Sequence, residues 1–418
     1  MKFGTFSICL VLVFLTSCKK GGGVPLEINN DGVIISMPYV WNTPLSDGEW
    51  IEGVVSEDAK IAGEVILPSQ RGNRIFLTKM FSDDGEIGWE WDDYFDVDSG
   101  LSIQNQAVYA NEIIFSIGRR LYCVDLMSGA TKWKTDVGHV ISDLVNVGGE
   151  YFYSANHELD ETDGLTKGVI RRGNFETSET SDVVFPNYEG SIEGVNGDVG
   201  KVAGIAILEN GNGGPLLQYI HRKTIINYTS NVYTSLYDVS QDTHVYKSVP
   251  VAENLQLGVG KPVIHENKVY CNVGRSIVCL DVSTGEKRWS HSLLAPYGFS
   301  DFTFSGNKLI INSEESFIYA YHTDTGQQLW KEASSGTASR PQVLNGVVYF
   351  TGGGDGLLHA VDISTGEHLW KIRSPDLDDD DGAWFMRRVS VRPPAPGEEK
   401  GRVIVSSYLS AFCYEAAR

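Results

Sequence analysis

Along the better-patterned part of this chain, short apolar runs end in polar turns, and each turn is followed by a segment carrying a large ring. The run from Ile277 to Leu280 is apolar or small at every position, as expected of a strand covered on both faces by neighbouring sheets. Ser283-Thr284-Gly285 then supplies a turn, in which Asp281 accepts backbone N–H bonds and Gly285 takes a positive φ without a Cβ clash. The next strand carries Trp289, a ring of the right size to fill the wedge between two sheets. The same phrase returns with Ala320, His322, Gly326 and Trp330, and again with Ala360, Asp362, Gly366 and Trp370. Its glycines stand about forty residues apart, the period of a propeller or solenoid.

Other copies extend the array. Cys123, Asp125, Gly129 and Trp133 form a full match. Asp238 to Tyr246 keeps the spacing with Asp242 in the Gly position, and Asp84 to Trp89 keeps only the turn and the ring. The gap between Gly129 and Asp242 is too long for one unit and predicts a degenerate one near Tyr151 to Phe185. At the C-terminus, Ile404 to Glu415 aligns with the strand leading to Asp362, but the chain stops at Arg418, before the turn Gly and the outer strand. The expected fold is all-β: a propeller of four-stranded antiparallel sheets, eight by this count with seven left open, closed by an N-terminal strand. Val24 to Ile35 is the expected closing segment, pairing with the Cys413 sheet.

The phrase small-x-Asp-x-x-Thr-Gly-x-x-x-Trp resembles the PQQ-type β-propeller repeat, specifically over 260–371 and fairly over 101–134. Quinoprotein dehydrogenases of that type are expected to carry adjacent cysteines and a calcium ligand set. This chain has no Cys-Cys pair, so the repeats imply the fold without the enzyme.

Met1-Lys2, the apolar stretch Ile8 to Phe14, and Leu15-Thr16-Ser17-Cys18 resemble a lipoprotein signal with its lipobox. The expected organisation is a signal peptide over 1–17, a lipidated Cys18 with a flexible tether over 18–23, and the propeller over 24–418. With 54 acidic against 34 basic residues, the net charge is −20, which argues against nucleic acid and against adhesion to an anionic bilayer by charge. Cys123, Cys279 and Cys413 fall in the small-residue position of their units and read as buried packing residues; Cys271 and Cys279 flank one hairpin, and their bonding stays open.

Catalytic motifs are not evident, and neither a catalytic residue nor a cofactor is assigned. His322 and His359 read as structural, and Gly352 to Gly356 as a hairpin turn, not a phosphate loop. Asp376, Asp378 and Asp380 imitate the start of a calcium loop, but the Gly comes one position late, and Arg387 stands where a closing Glu belongs; a solvated loop is the favoured reading. Asp160 to Gly164 and Leu208 to Pro215 read as long hairpin tips.

A lipobox joined to these repeats resembles the outer-membrane assembly factor BamB family. That resemblance implies a monomeric propeller lipoprotein at the outer membrane, on its periplasmic face or at the cell surface, binding protein partners as a scaffold. Two alternatives stand beside it: a carbohydrate- or ligand-binding surface lipoprotein using Trp41, Trp50 or Trp384, and a quinone- or metal-dependent enzyme with its site in the central channel.

Overall fold

The computed structural model describes residues 34–418 apart from 47–63, 73, 96–102, 138–139, 147–150, 160–165, 185–197, 210–213, 225–228, 256–257, 294–299, 337–338, 377–383 and 386–388. Every regular element among the described residues is a strand, and the strands form the eight blades of a β-propeller. Blade 5 shows the pattern: Val263–His265, Lys268–Val273, Ser276–Asp281 and Lys287–Ser292 pair in sequence order, each antiparallel to the last. Blade 2 (103–136), blade 6 (303–333) and blade 7 (342–372) repeat it. Blade 1 contributes three described strands, Glu64–Arg71, Arg74–Phe81 and Ile87–Trp91.

The apolar runs are buried on both faces because every blade is sandwiched between two others. Ile277, Val278, Cys279 and Leu280 are all fully buried, Cys279 facing a cluster with Phe302, Leu309 and Tyr319 of blade 6. Val278 and Leu280 face the opposite cluster, with Ile220 and Val232 of blade 4.

The degenerate unit expected near Tyr151 is blade 3, built from Val140–Asn146, Tyr151–Leu159, Thr166–Asn174 and Thr180–Val184. Blade 4 follows with Asp198–Glu209, Pro215–Thr224, Ser230–Asp238 and Thr243–Leu255. A short parallel pairing, Thr166 with Asp198 and Lys167 with Val199, joins the two blades into one eight-stranded sheet. The tips expected at 160–164 and 208–215 fall on the antiparallel connections of these blades; most of their residues lie outside the described ones.

Closure follows the expected principle with a different segment. Blade 8 consists of Ser390–Arg392, Arg402–Ser406 and Ser410–Glu415, and its fourth strand is Trp41–Pro44, antiparallel with Trp41 opposite Cys413. Of the expected Val24 to Ile35, only Ile34–Ile35 is described, and it pairs in parallel with Lys371 and Ile372 of blade 7. The reason is the ring. Trp133 lies opposite Cys123, Trp289 opposite Cys279, Trp330 opposite Ala320 and Trp370 opposite Ala360. Trp41, opposite Cys413, fills that same position for blade 8.

The four described cysteines are free and buried. Cys271 lies opposite Val278 and Cys279 opposite Tyr270, so the pleat sends the two thiols to opposite faces of blade 5. Burial pushes the Cys271 thiol up to about 12 and that of Cys279 up to about 11, as expected of inert packing residues.

Candidate binding surface

The repeat phrase is an interlock between consecutive blades. Asp281 Oδ1 accepts the N–H groups of Ser283 at 2.8 Å and Thr284 at 3.2 Å, while Gly285 N–H closes the turn on the Asp281 carbonyl at 2.8 Å. Hydrogen bonds from the Ser283 hydroxyl and the Arg288 guanidinium hold the Asp281 carboxyl well below the usual carboxylate range. Asp125 and Asp362 cap their turns in the same way. His322 replaces Asp by accepting the Asp324 N–H on Nδ1 at 3.1 Å.

Each ring then reaches the turn of the next blade. Trp289 Nε1 donates to the Thr323 carbonyl and Trp330 Nε1 to the Ile363 carbonyl, both at 2.9 Å. Trp133 Nε1 donates to Phe175 in blade 3, and Trp41 Nε1 to Ser82 in blade 1. Glycine is needed beneath the rings: a Cβ on Gly326 would stand 2.6 Å from Trp289, one on Gly366 2.9 Å from Trp330, and one on Gly129 2.8 Å from Trp89. Gly285 carries Tyr246 in the same manner. Trp370 borders a cleft lined by Met37, Tyr39, Lys400 and Arg418.

Against this background, blades 1 and 2 depart from the pattern at three positions. Phe81 holds the place of the turn Asp: its N–H bonds the Glu86 carbonyl, and its carbonyl accepts Gly85 N–H, as Asp281 does in its own turn. A phenyl ring cannot cap that turn, and only the bond of the Thr284 position remains: Asp84 Oδ1 accepts the Glu86 N–H at 2.9 Å, as Thr284 Oγ1 accepts the Glu286 N–H. Ile87 stands where other blades have Thr131, Lys287, Gln328 and His368, and Met127 where they have Ser283, Asp324 and Ser364. All three are exposed, Phe81 at 40%, Ile87 at 38% and Met127 at 65%. Lys79 and Trp89 of blade 1 both donate to the Leu126 carbonyl at 2.9 Å, which sets Met127 beside the Phe81 turn. The Lys79 ammonium also lies over the Phe81 ring, 5.6 Å from its centre. Asp84 and Glu86 are exposed on the same turn. Local rules broken in favour of exposed apolar side chains are the mark of a surface kept for contact. The signal is present in the sequence as apolar letters where the repeat is polar, but only the array of blades shows that Met127 comes beside the Phe81 turn, while Ile87, opposite Met80, lies on the face toward blade 8.

A second polar feature rings the inner strands. Asn105, Asp143, Lys261, Asp301 and Arg340 precede equivalent inner-strand residues of blades 2, 3, 5, 6 and 7. Asp143 is buried, accepts the Ile205 N–H at 3.1 Å, and has its carboxyl pushed up by that burial against the pull of Lys261. Lys261 in turn approaches Asp301 at 3.9 Å. These charges alternate and face one another, so they tie blades together across the inner rim.

Of the weak metal candidates, Asp376 accepts the Ser407 hydroxyl at 2.6 Å, a link from its loop to blade 8, and Asp378 and Asp380 lie outside the described residues. No cluster of metal-ligating side chains occurs among the described residues. Trp41 is no ligand platform, because it is buried at 1% exposure as the closing ring. Trp384 packs over the Gly356 turn, and Trp50 lies outside the described residues, as does Cys18. Gly352 to Gly356 is the expected hairpin turn, closed by Gly356 N–H on the Gly352 carbonyl at 3.0 Å. Among the described residues no helix is long and apolar enough to cross a membrane.

Residues 235–418 match the family model described as outer membrane protein assembly factor BamB. A comparison with curated proteins returns no match. Among solved structures, BamB from Moraxella catarrhalis is similar at 13% identity and a TM-score of 0.56, covering 91% of this chain and 100% of that one. Sqt1 from Saccharomyces cerevisiae is similar at 9% identity and a TM-score of 0.63, covering 88% and 97%. Quinohemoprotein alcohol dehydrogenase from Comamonas testosteroni is similar at 11% identity and a TM-score of 0.61, covering 91% and 77%. Identities this low establish the shared fold and nothing of the chemistry. The fold is that of a PQQ-like β-propeller, and the match to the outer membrane assembly factor BamB is carried by residues 235–418, from the last two strands of blade 4 onward.

Proposed function

We propose that this protein is a lipid-anchored scaffold of the bacterial envelope, without enzymatic activity, held to the outer membrane through Cys18 and docking a protein partner on the Phe81–Ile87–Met127 rim. The observation that carries the docking reading is the replacement of three positions, polar in the other blades, by exposed apolar side chains, of which Phe81 and Met127 come together where blades 1 and 2 meet. The family match supports a role in outer-membrane protein assembly, and the resemblance of Leu15 to Cys18 to a lipobox supports the anchor. Exposed Asp84 and Glu86 beside the apolar centre, on a chain of net charge −20, favour a partner surface with apolar anchors and a basic border. Steering by this charge makes association weaken as salt rises.

The test is purification from mild detergent of the wild-type chain, Met127→Asp and Ile87→Asp. The reading expects one partner recovered with the wild type and lost from both variants, with all three propellers melting alike. Recovery of the same partner by folded variants refutes this rim as the docking site. Saturable quinone binding in a calorimetric titration refutes the non-enzymatic reading.

A further inference from the structure

Between blades 6 and 7, four titratable side chains stand in single file, and no turn or packing position of the repeat accounts for them. Asp355 Oδ1 lies 3.2 Å from His359 Nε2, His359 Nδ1 lies 3.0 Å from His368 Nε2, and His368 Nδ1 lies 3.1 Å from Glu332 Oε1. The imidazoles are buried, at 0% and 6% exposure, whereas the carboxylates at the two ends reach water, at 25% and 36%. Glu332 belongs to the outer strand Gln328–Ala333 of blade 6, and the other three belong to blade 7. Gly352 leaves the space for this file, since a Cβ there would stand 2.2 Å from the Asp355 carboxylate and 2.9 Å from His359 Nε2. The Phe350 ring stacks on His359 with centres 4.7 Å apart. Two further groups face the file: Lys371, opposite His359 across the strands, and Ser335, which bonds Asp355.

Counting protons identifies the odd junction. The file has three junctions, but two neutral imidazoles carry only two N–H groups, and ionised carboxylates carry none. Burial works against ionisation of Asp355, yet hydrogen bonds from His359, Leu357 and Ser335 outweigh it and hold its carboxyl below the usual range. Asp355 also accepts the Leu357 N–H at 3.1 Å, so it stays an acceptor and must receive the proton on His359 Nε2. His359 Nδ1 is then bare and must receive the proton on His368 Nε2. Both protons are now spent, and His368 Nδ1 faces the Glu332 carboxylate as acceptor against acceptor.

We infer that the His368–Glu332 junction is a binding site for one proton, and that its occupancy clasps blade 7 to blade 6. With the proton present, shared between His368 Nδ1 and the Glu332 carboxyl, a hydrogen bond closes the junction and completes the file. Without it, the two acceptors repel, and Glu332, one third exposed, turns to water. Burial, the neighbouring imidazole and the Lys371 ammonium all push the His368 ring down, to about 3, so the site is empty at neutral pH and fills on acidification.

The test is nitrogen NMR of the histidine rings in the full chain from pH 8 downward, for the wild type and for Glu332→Gln. In the wild type both rings are expected as Nε2–H tautomers at pH 8, with His368 taking a proton on Nδ1 as pH falls while His359 keeps its tautomer. In Glu332→Gln the side-chain amide donates to His368 Nδ1 without a proton, and protonation of His368 is expected at least one pH unit lower, a tenfold loss of proton affinity. An Nδ1–H tautomer at His359, protonation of His359 before His368, or superimposed profiles for the two chains would each overturn the inference. So would a wild-type protein that unfolds on acidification with His368 still neutral; that reading needs no variant to fold.

Discussion

Blades 5 to 7 and blades 3 and 4 solve the same packing problem in two ways. In blades 5 to 7 the strands run three to six residues, and every turn is capped by Asp281, His322 or Asp362 with a glycine beneath the preceding ring. In blades 3 and 4 most strands run nine to thirteen residues, and the turns carry Ser178 and Asp242 where the glycine belongs. Both residues adopt the left-handed region, at φ of 60° and 53°. The capping chemistry survives under different letters: Asn174 Oδ1 accepts the Glu176 N–H at 2.7 Å, and Asp238 Oδ1 accepts the Ser240 N–H at 2.9 Å. Tyr246 replaces the tryptophan and bonds Gln218 through its hydroxyl at 2.7 Å. The short blades depend on the interlock of ring and glycine. The long ones add ladder hydrogen bonds and a shared sheet, and they tolerate a strained turn.

The largest expected effect separates the interlocked rings from their substitute. Trp41→Ala and Trp330→Ala should each cost about 3–5 kcal/mol in urea unfolding, since each removes a ring filling the wedge between blades. Tyr246→Phe should cost only about 1 kcal/mol, the loss of one partly buried hydrogen bond. Equal costs for Trp330→Ala and Tyr246→Phe would erase the distinction between the two regions.

Glycine exchange sharpens the same contrast with opposite signs. Gly326→Ala meets both a positive φ of 68° and the Trp289 ring, and should lower stability by about 1–3 kcal/mol. Ser178→Gly should raise stability by up to about 1 kcal/mol by relieving the left-handed turn of blade 3. A stabilising Gly326→Ala would contradict the packing of ring on glycine.

Acidification probes the longer blades. His221 of blade 4 is buried between Tyr219 and Tyr233, and burial pushes its ring down to about 3. The folded ring thus has a lower pKa than the unfolded one, near 6.5, and between those values the unfolded chain binds more protons. Its contribution to stability is complete above pH 6.5 and is lost as pH falls toward 3, by at most about 1.4 kcal/mol per pH unit. The His221→Phe variant should lose that share of the slope; parallel pH profiles of the two chains would show that the ring titrates normally.

What the sequence reveals follows from how local each interaction is. The turn phrase can be read directly because Asp281, Ser283 and Gly285 act within one hairpin, and its spacing gives a count of eight blades with seven left open. The closing strand falls later than the expected 24–35, because Trp41 has no turn before it and its partner Cys413 lies far along the sequence. The apolar positions of blades 1 and 2 show in the sequence only as Phe81 and Met127 where the repeat is polar, since their adjacency depends on two blades meeting. The histidine file was hidden for the same reason: Asp355 and His359 are four residues apart, but Glu332 comes from another sheet.

The central claim, a scaffold that docks a partner on the rim of blades 1 and 2, is tested most directly by site-specific photocrosslinking in the envelope. A crosslinking residue at Met127 should trap one protein of defined mass, and the band should vanish when Ile87→Asp is added. The same probe at Val245, exposed on blade 4 away from the Phe81 turn, should trap none of it. A partner captured equally from both positions, or a Met127 band that survives Ile87→Asp, would contradict the account.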